Sequence, residues 1–171
     1  CVNGASRYQR RSPWANSGFV VTLEPDDFGE GEDPLAGVAL QEQIEKDAYE
    51  AAGGNFAVPA LRLGDFLRGE ISSDLPDCSY PRPLVVTDFS RFLPPFIHAA
   101  LRSGLQELVR RIPEFDHESA VVTAPESRSS SPVRIDRDAV TFESTGFRGL
   151  YPLGEGAGYA GGILSAALDG M

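Results

Sequence analysis

The sequence predicts an α/β fold of mixed α+β type, a fragment in which β strands bracket a helical insertion. Apolar residues recur at helical spacing from about Glu24 to Asp116, whereas short apolar and β-branched runs occupy the segments on either side. A glycine-rich stretch near the C-terminus lies between one such run and an amphipathic stripe, the order of a strand, a loop and a helix. With 171 residues, the chain can bury one core or two small ones.

Most of the strand-like runs lie on the two flanks of the chain. The runs are Ala15–Leu23, Ser119–Ala124, Val133–Asp136, Val140–Ser144 and Gly149–Leu153. The acidic stretch Glu24–Asp33 follows the first run and is typical of a turn. We expect Ala15–Leu23 to pair with Ser119–Ala124 once the helical insertion is spanned.

Two long helices are predicted in the middle of the chain. The first starts with Asp33 as the N-cap and Pro34 at the first helical position, and it ends at the Gly-Gly pair of residues 53–54. The second begins at Pro94 or Pro95 and is closed by Pro113. Their apolar positions are Leu40, Ile44, Ala48 and Ala51 in the first helix and Ile97, Leu101, Leu105, Leu108 and Ile112 in the second.

The segment between these helices is expected to be less regular. Phe56–Gly69 suggests an extended piece and then a short helix near Gly64–Arg68, whereas Ser72–Pro83 is a loop. Asp88 is interpreted as a helix cap rather than a catalytic carboxylate. The predicted parts are a β-containing portion of residues 1–23 and 117–145, a helical insertion of residues 24–116, and a C-terminal piece of residues 146–171.

Composition excludes several classes of partner. Fifteen basic and 25 acidic side chains give a formal net charge of −10, which repels nucleic-acid phosphates and anionic lipids. The N-terminal residues lack the apolar stretch of a signal peptide, so a cytoplasmic protein is expected. Cys1 and Cys78 make no disulfide framework and are expected to be free thiols. Because the chain starts at Cys1 and ends at Met171, just after an amphipathic run, we expect a fragment of a longer protein.

The glycine-rich stretch contains the spacing G-x-G-x-x-G at Gly156, Gly158 and Gly161. Glycine lets a ligand approach the backbone N–H groups closely, and a helix N-terminus adds a partial positive charge. The acidic residue expected about 20 positions further on would fall beyond Met171, and no second strand follows within the sequence, so the stretch is not expected to be a self-sufficient dinucleotide fold. The alternative is a structural turn that lets a helix pack on a strand.

Glu155 changes the interpretation of these glycines. A carboxylate in the loop repels phosphate, but it accepts hydrogen bonds from sugar or ribityl hydroxyls. Elsewhere, the acidic run Glu114–Glu118 around His117 is interpreted as a solvated connector rather than a metal site. His98 is interpreted as a packed or exposed imidazole rather than a catalytic base. No metal site is therefore predicted.

Several stretches resemble one protein family. They are GLYPLGEGAGYAGGILSAALDG at 149–170, SSSPVRIDRD at 129–138, RRSPWANSGFVV at 10–21, PLAGVALQEQIEKDAYEAAGG at 34–54 and VPALRLGDFLRG at 58–69. The chain resembles the C-terminal portion of bacterial FAD-dependent dehydrogenases of the two-dinucleotide-binding type. In that family the FAD phosphates bind an N-terminal G-x-G-x-x-G βαβ unit, which the present sequence does not contain.

The resemblance implies a second contact with FAD. Residues 146–171 then form the last strand, loop and helix of a Rossmann-like FAD-binding domain. The implied cofactor-binding residues are Gly154, Glu155, Gly156, Gly158, Gly161, Gly162, Ile163, Arg128, Ser131 and Arg134. In this scheme Glu155 binds ribityl hydroxyls, and the amides of residues 161–163 face flavin O2 and N1. Arg128 and Arg134 pair with the flavin edge or an acidic substrate, or else form ordinary ion pairs.

The leading expectation is the C-terminal part of an FAD-dependent oxidoreductase, with the rest of the same chain as its partner and an unidentified small molecule as substrate. The isolated chain is expected to be inactive and to bind FAD weakly or not at all, and no catalytic base is assigned. A non-catalytic interaction module with a structural glycine turn is the alternative. A domain that binds a nucleotide phosphate through the glycine-rich stretch alone is the third option.

Overall fold

The computed structural model describes residues 8–9, 11–28 and 33–171, which form two compact units. The first unit combines the described residues up to Leu23 with Glu42–Ser127, and the second combines those of Glu24–Gln41 with Arg128–Met171. Cys1 and part of the predicted acidic turn, residues 29–32, lie outside the described residues. Cys78 is a free thiol.

The described elements mix helices and strands, which confirms the mixed α+β class. The helices are α1 (Ala36–Ala51), α2 (Leu63–Arg68), α3 (Pro95–Arg111) and α4 (Ile163–Asp169), and the strands are β1 (Val58–Arg62), β2 (Leu84–Val86) and β3 (Val121–Thr123). Short 3₁₀ helices span Pro25–Phe28, Phe89–Arg91 and Pro113–Phe115. Within the described ranges, no helix has the length and apolar character needed to cross a membrane.

Both long helices form within two residues of their predicted boundaries, and α1 begins at Ala36 rather than at Pro34. The Asp33 carboxylate accepts a hydrogen bond from the Leu35 N–H at 2.9 Å, and α1 begins one residue later. Pro95 opens α3, which ends at Arg111, two residues before Pro113. Asp88 caps the 3₁₀ helix Phe89–Arg91 by accepting the Ser90 N–H at 2.9 Å, as predicted.

The sheet of the first unit has the order β2-β1-β3, with β1 in the centre. Strand β1 pairs in parallel with β2 and antiparallel with β3, so that Ala60 lies opposite both Val86 and Thr123. Ala60 is completely buried, and Phe66 of α2 packs against the rings of Phe89 and His98. The central strand therefore connects the sheet to a compact apolar core.

The predicted strand at Ala15–Leu23 is wrong. This segment has no regular secondary structure, and β3 pairs with β1 instead. The Phe19 ring lies against α3, where a Cβ at Gly104 would be 3.1 Å from it. The Phe19 side chain thus contacts a helix, and the backbone of the segment joins no ladder.

The three strands predicted after Val133 are also wrong. Residues 133–136, 140–144 and 149–153 contain no strand, and only an isolated bridge joins Arg137 to Ser144. The Asp138 side chain accepts hydrogen bonds from the backbone N–H groups of Val140 and Thr141, at 2.8 and 2.7 Å. A side chain that binds the backbone locally turns the chain and competes with strand pairing.

Candidate functional site

The glycine-rich stretch of the second unit forms a tight turn over residues 154–158, followed by α4. The Gly158 N–H donates to the Glu155 carbonyl at 2.9 Å, and the Tyr159 N–H donates to the Gly154 carbonyl at 3.0 Å. We call residues 154–163 the glycine turn. It is entered from an irregular segment, whereas the sequence predicts a strand there.

Two glycines of the turn are required by the fold itself. Gly154 and Gly158 have φ angles of +71° and +81°, which L side chains rarely adopt. A Cβ at Gly158 would lie 2.4 Å from the Val133 carbonyl oxygen, so the backbone of the preceding segment approaches this residue directly. At these positions glycine serves the folding of the second unit.

Three other glycines are not required by the described residues. A Cβ at Gly156 or Gly161 would meet no atom within 4 Å, and one at Gly162 would make only ordinary contact with the Ser165 Oγ at 3.7 Å. None of these three has a positive φ. The glycine turn therefore presents an open backbone surface at Gly156 and Gly161, which are exposed along with the neighbouring Glu155.

The serine-rich segment predicted to lie near the site contacts the glycine turn. The Ser131 hydroxyl is within hydrogen-bond distance of the Gly156 carbonyl at 3.2 Å and of the Val133 carbonyl at 2.9 Å. The Ile135 N–H donates to the Ala157 carbonyl at 3.1 Å. Ser131 thus joins the glycine turn, whereas Arg128 is an exposed residue at the start of this segment.

Arg134 lies beside the glycine turn in a cation–π contact. Its guanidinium carbon is 4.4 Å from the centre of the Tyr159 ring, and the Tyr159 hydroxyl donates to the Ile135 carbonyl at 2.9 Å. Arg134 is exposed, so the contact leaves its guanidinium accessible to an anionic group.

Sequence reasoning missed Arg137 and Asp169, the most buried ion pair of the second unit among the described residues. Only 7% of the Arg137 side chain and 15% of the Asp169 side chain are exposed. The guanidinium binds both carboxylate oxygens, at 2.5 and 3.0 Å, and lies 3.6 Å from the Tyr159 ring centre. These hydrogen bonds lower the pKa of Asp169 and raise that of Arg137. An aspartate at the C-terminal end of a predicted amphipathic helix was the available signal.

The surface around the glycine turn is apolar as well as open. Ile163 and Leu164 of α4 are 92% and 80% exposed, and Phe147 in the preceding segment is 70% exposed. Exposed apolar side chains concentrated on one small unit mark a surface that another protein segment or a ligand can cover. Together with exposed amides and the Glu155 carboxylate, they suit a ligand with an apolar ring system and hydroxyl groups.

A cleft of about 580 Å³ in the first unit is a different kind of cavity. Its walls come from α1, the start of β1 and the Ala124–Pro125 pair, and the tilted rings of Tyr49 and Phe56 form one side. Glu45 borders the cleft and accepts a hydrogen bond from the Ser127 hydroxyl at 2.6 Å. Within the described chain, no group of three His, Cys, Asp or Glu residues is placed to hold a metal ion.

Comparison with known proteins identifies the family. The model of the family described as FAD-dependent protein, C-terminal domain-like, matches residues 1–129. An uncharacterized protein of Clostridium beijerinckii (strain ATCC 51743 / NCIMB 8052) is 40% identical over an aligned region of 171 residues, which covers 99% of this chain and 32% of that relative. The chain thus spans about a third of the relative's length, and the glycine turn lies beyond the part that the family model matches. The chain belongs to the FAD-dependent protein C-terminal domain-like family.

Proposed function

We propose that this chain is the C-terminal part of an FAD-dependent oxidoreductase and that its glycine turn contacts the ribityl chain and isoalloxazine of FAD. The family match supports the assignment of this chain as part of an FAD-related protein. The observation that carries the finer proposal is the open backbone at Gly156 and Gly161, where neither a positive φ nor a neighbouring atom calls for glycine. A ligand that approaches the backbone closely accounts for glycine at such positions.

The residues present fit the groups of a flavin that such a turn would meet. The exposed Glu155 carboxylate can accept hydrogen bonds from ribityl hydroxyls. The first N–H groups of α4 have no partner within the helix, so the amides near Gly162 and Ile163 are available to the carbonyl edge of the ring. Ser131 and Arg134 border the same turn. Bound FAD supplies the redox chemistry, and the chain supplies orientation and electrostatic stabilisation.

The exposed apolar side chains of the second unit support a partner in the same polypeptide. The relative is about three times as long as this chain, so most of its residues lie outside the matched region. We propose that a larger chain covers Ile163 and Leu164 with its FAD-binding part. On this proposal the isolated 171-residue chain binds FAD weakly or not at all and is inactive.

The alternative, a non-catalytic interaction module with a structural turn, has its own support. The close approach of the Val133 carbonyl to Gly158 and the positive φ of Gly154 show a folding role for two of the glycines. That role explains Gly154 and Gly158 but leaves Gly156 and Gly161 unaccounted for. The two hypotheses therefore predict different effects on FAD binding when a methyl group is added at Gly156 or Gly161.

The experiment uses the full-length protein that carries this chain. We expect it to purify with bound flavin, and we expect Gly161→Ala to weaken FAD binding by about tenfold because a methyl group occupies the approach to the backbone. Affinity is measured by fluorescence titration of the apoprotein with FAD. Gly146→Ala is the matched control, since a Cβ at Gly146 also meets no atom within 4 Å and this residue lies outside the glycine turn.

Three results would contradict the proposal. Equal FAD affinity in the Gly161→Ala and Gly146→Ala variants would favour a purely structural turn. Absence of flavin from the full-length protein would reject the FAD assignment. Stoichiometric flavin in the isolated 171-residue chain would reject the requirement for a further FAD-binding part.

A further inference from the structure

We propose that Asp169 and Arg137 are positioning residues that clamp the glycine turn in its ligand-binding conformation. Asp169, at the end of α4, binds the first residue of the turn and Arg137 at the same time. This inference rests on the proposed function, because it assigns the clamp a consequence for flavin binding. Neither residue is proposed to touch the cofactor.

The Asp169 carboxylate joins three pieces of chain. Its Oδ2 accepts a hydrogen bond from the Gly154 N–H at 2.8 Å, and its two carboxylate oxygens accept hydrogen bonds from the two terminal nitrogens of Arg137. The carboxylate therefore ties the C-terminal end of α4 to the start of the glycine turn and to the segment that precedes the turn. Bidentate pairing of this kind fixes geometry as well as adding energy.

Arg137 extends the same clamp toward the entrance of the turn. Its Nη1 donates to the Pro152 carbonyl at 2.8 Å, and its guanidinium stacks on the rings of Tyr159 and Phe142 at 3.6 and 4.7 Å. Pro152 and Tyr159 flank the tight turn on its two sides. One guanidinium thus contacts the chain on both sides of the tight turn. Lys lacks the planar, forked guanidinium and is therefore a poor replacement.

Packing at Gly154 shows how a loss of the clamp would spread. A Cβ there would lie 3.4 Å from the Ala166 Cβ, so α4 sits directly against the start of the turn. With the Gly154 N–H released, α4 and the turn can separate, and the amides at residues 161–163 lose their fixed direction. Affinity for a ligand falls when the groups that bind it must first be ordered.

The test compares Asp169→Asn with Asp136→Asn in the full-length protein. Asp136 is exposed, and no hydrogen bond or ion pair of its side chain is found within the described residues, so its variant makes the same charge change outside the clamp. Three properties are measured: hydrogen–deuterium exchange in peptides covering residues 152–158, FAD affinity, and the visible circular dichroism of the bound flavin. Arg137→Lys repeats the test from the other side of the pair and replaces Asp169→Asn if that variant does not fold.

We expect Asp169→Asn to speed exchange in residues 152–158, weaken FAD binding by about tenfold and alter the flavin dichroism, because a charge-assisted pair is lost. Asp136→Asn should stay within about twofold of the unsubstituted protein. Unchanged exchange in both clamp variants would overturn the clamp. Faster exchange with unchanged flavin affinity and dichroism would overturn the positioning role. A flavin-free unsubstituted protein would reject the proposed function and the positioning role together, while the exchange data would still decide whether the clamp exists.

Discussion

The two units of the chain are stabilised by different interactions. In the first, apolar side chains from α1, α2, α3 and the sheet are buried together, with Ala60, Leu61 and Phe66 at most 3% exposed. In the second, the buried residues within the described ranges are the small residues Gly37, Pro152, Gly154 and Ala157, and the contacts are an ion pair, cation–π stacking and hydrogen bonds to backbone. Hydrophobic burial supplies most of the free energy of folding in small domains.

This difference explains how each unit relates to function. A unit of few residues buries too little apolar surface to be very stable by itself. The second unit instead keeps Ile163, Leu164 and Leu168 at least 66% exposed and holds its backbone with polar contacts. Such a unit has a defined turn but an incomplete core, which agrees with the proposal that a ligand and further chain cover its surface.

The largest effect is expected in the first unit, from Phe66→Ala. Phe66 is 3% exposed and packs on Phe89 with ring centres 5.4 Å apart, so its loss leaves a cavity and should lower the free energy of unfolding by about 3–5 kcal/mol. Urea denaturation measures the change. The control Phe147→Ala removes a ring that is 70% exposed in the second unit, and it should cost less than about 0.5 kcal/mol. Equal losses would refute the contrast between the units.

A smaller effect is expected in the second unit, from Gly158→Ala. This substitution should lower the local stability of the unit by about 2 kcal/mol. Alanine disfavours the positive φ, and its Cβ would lie 2.4 Å from the Val133 carbonyl oxygen, a backbone atom that cannot rotate away. Exchange in peptides covering residues 131–160 reports this local loss. Gly146→Ala adds the same methyl group in open space and should leave exchange unchanged. If α2 and β1 lose as much protection as the turn, the two units do not unfold separately.

The first unit was largely predictable from the sequence because its signals are local. The boundaries of α3 follow from Pro95 and Pro113, and that of α1, whose first residues belong to the second unit, follows from Asp33. Of the predicted apolar positions, Ile44, Ala48 and Ile97 are buried, whereas Ile112 lies beyond α3 and is 43% exposed. The extended piece and short helix predicted within Phe56–Gly69 appear as β1 and α2. Strand β2 was missed because a run of three residues next to a proline-rich loop carries little periodicity.

The errors come from contacts that sequence spacing does not encode. Ala15–Leu23 has strand composition, but its Phe19 ring packs on α3 at Gly104, and its expected partner β3 pairs with β1. In the second unit, Asp138 binds the backbone of Val140 and Thr141 and turns a segment that alternation alone predicts to be extended. Strand pairing depends on distant partners, and a capping side chain overrides a short apolar pattern.

The residues of the candidate site stay a prediction, and the contacts that support the glycine turn were not foreseen. The sequence and its family resemblance indicate the glycines, Glu155 and Ser131, and the structure brings Ser131 to the carbonyl of Gly156. The clamp was missed because Arg137 and Asp169 are 32 residues apart and meet only in the folded unit. The glycine spacing was ambiguous for a related reason: the φ of Gly158 and the open space at Gly156 appear only when the backbone is known.

The smallest effect is expected from mild acid. Hydrogen bonds from Arg137 and Gly154 lower the pKa of Asp169, so this carboxylate stabilises the fold fully above its unfolded pKa and loses its contribution as pH falls through the lowered value. Exchange in residues 152–158, corrected for intrinsic rate, should therefore stay constant from neutral pH down to about pH 4 and rise below it. Asp169→Asn should abolish this acid step.

In the first unit, Glu107 also has a lowered pKa, caused by Arg111 and Arg110, but it lies on the exposed face of α3. Protonating Glu107 should leave the core around Phe66 protected, and an acid step of equal size there would contradict the assignment of acid sensitivity to the clamp.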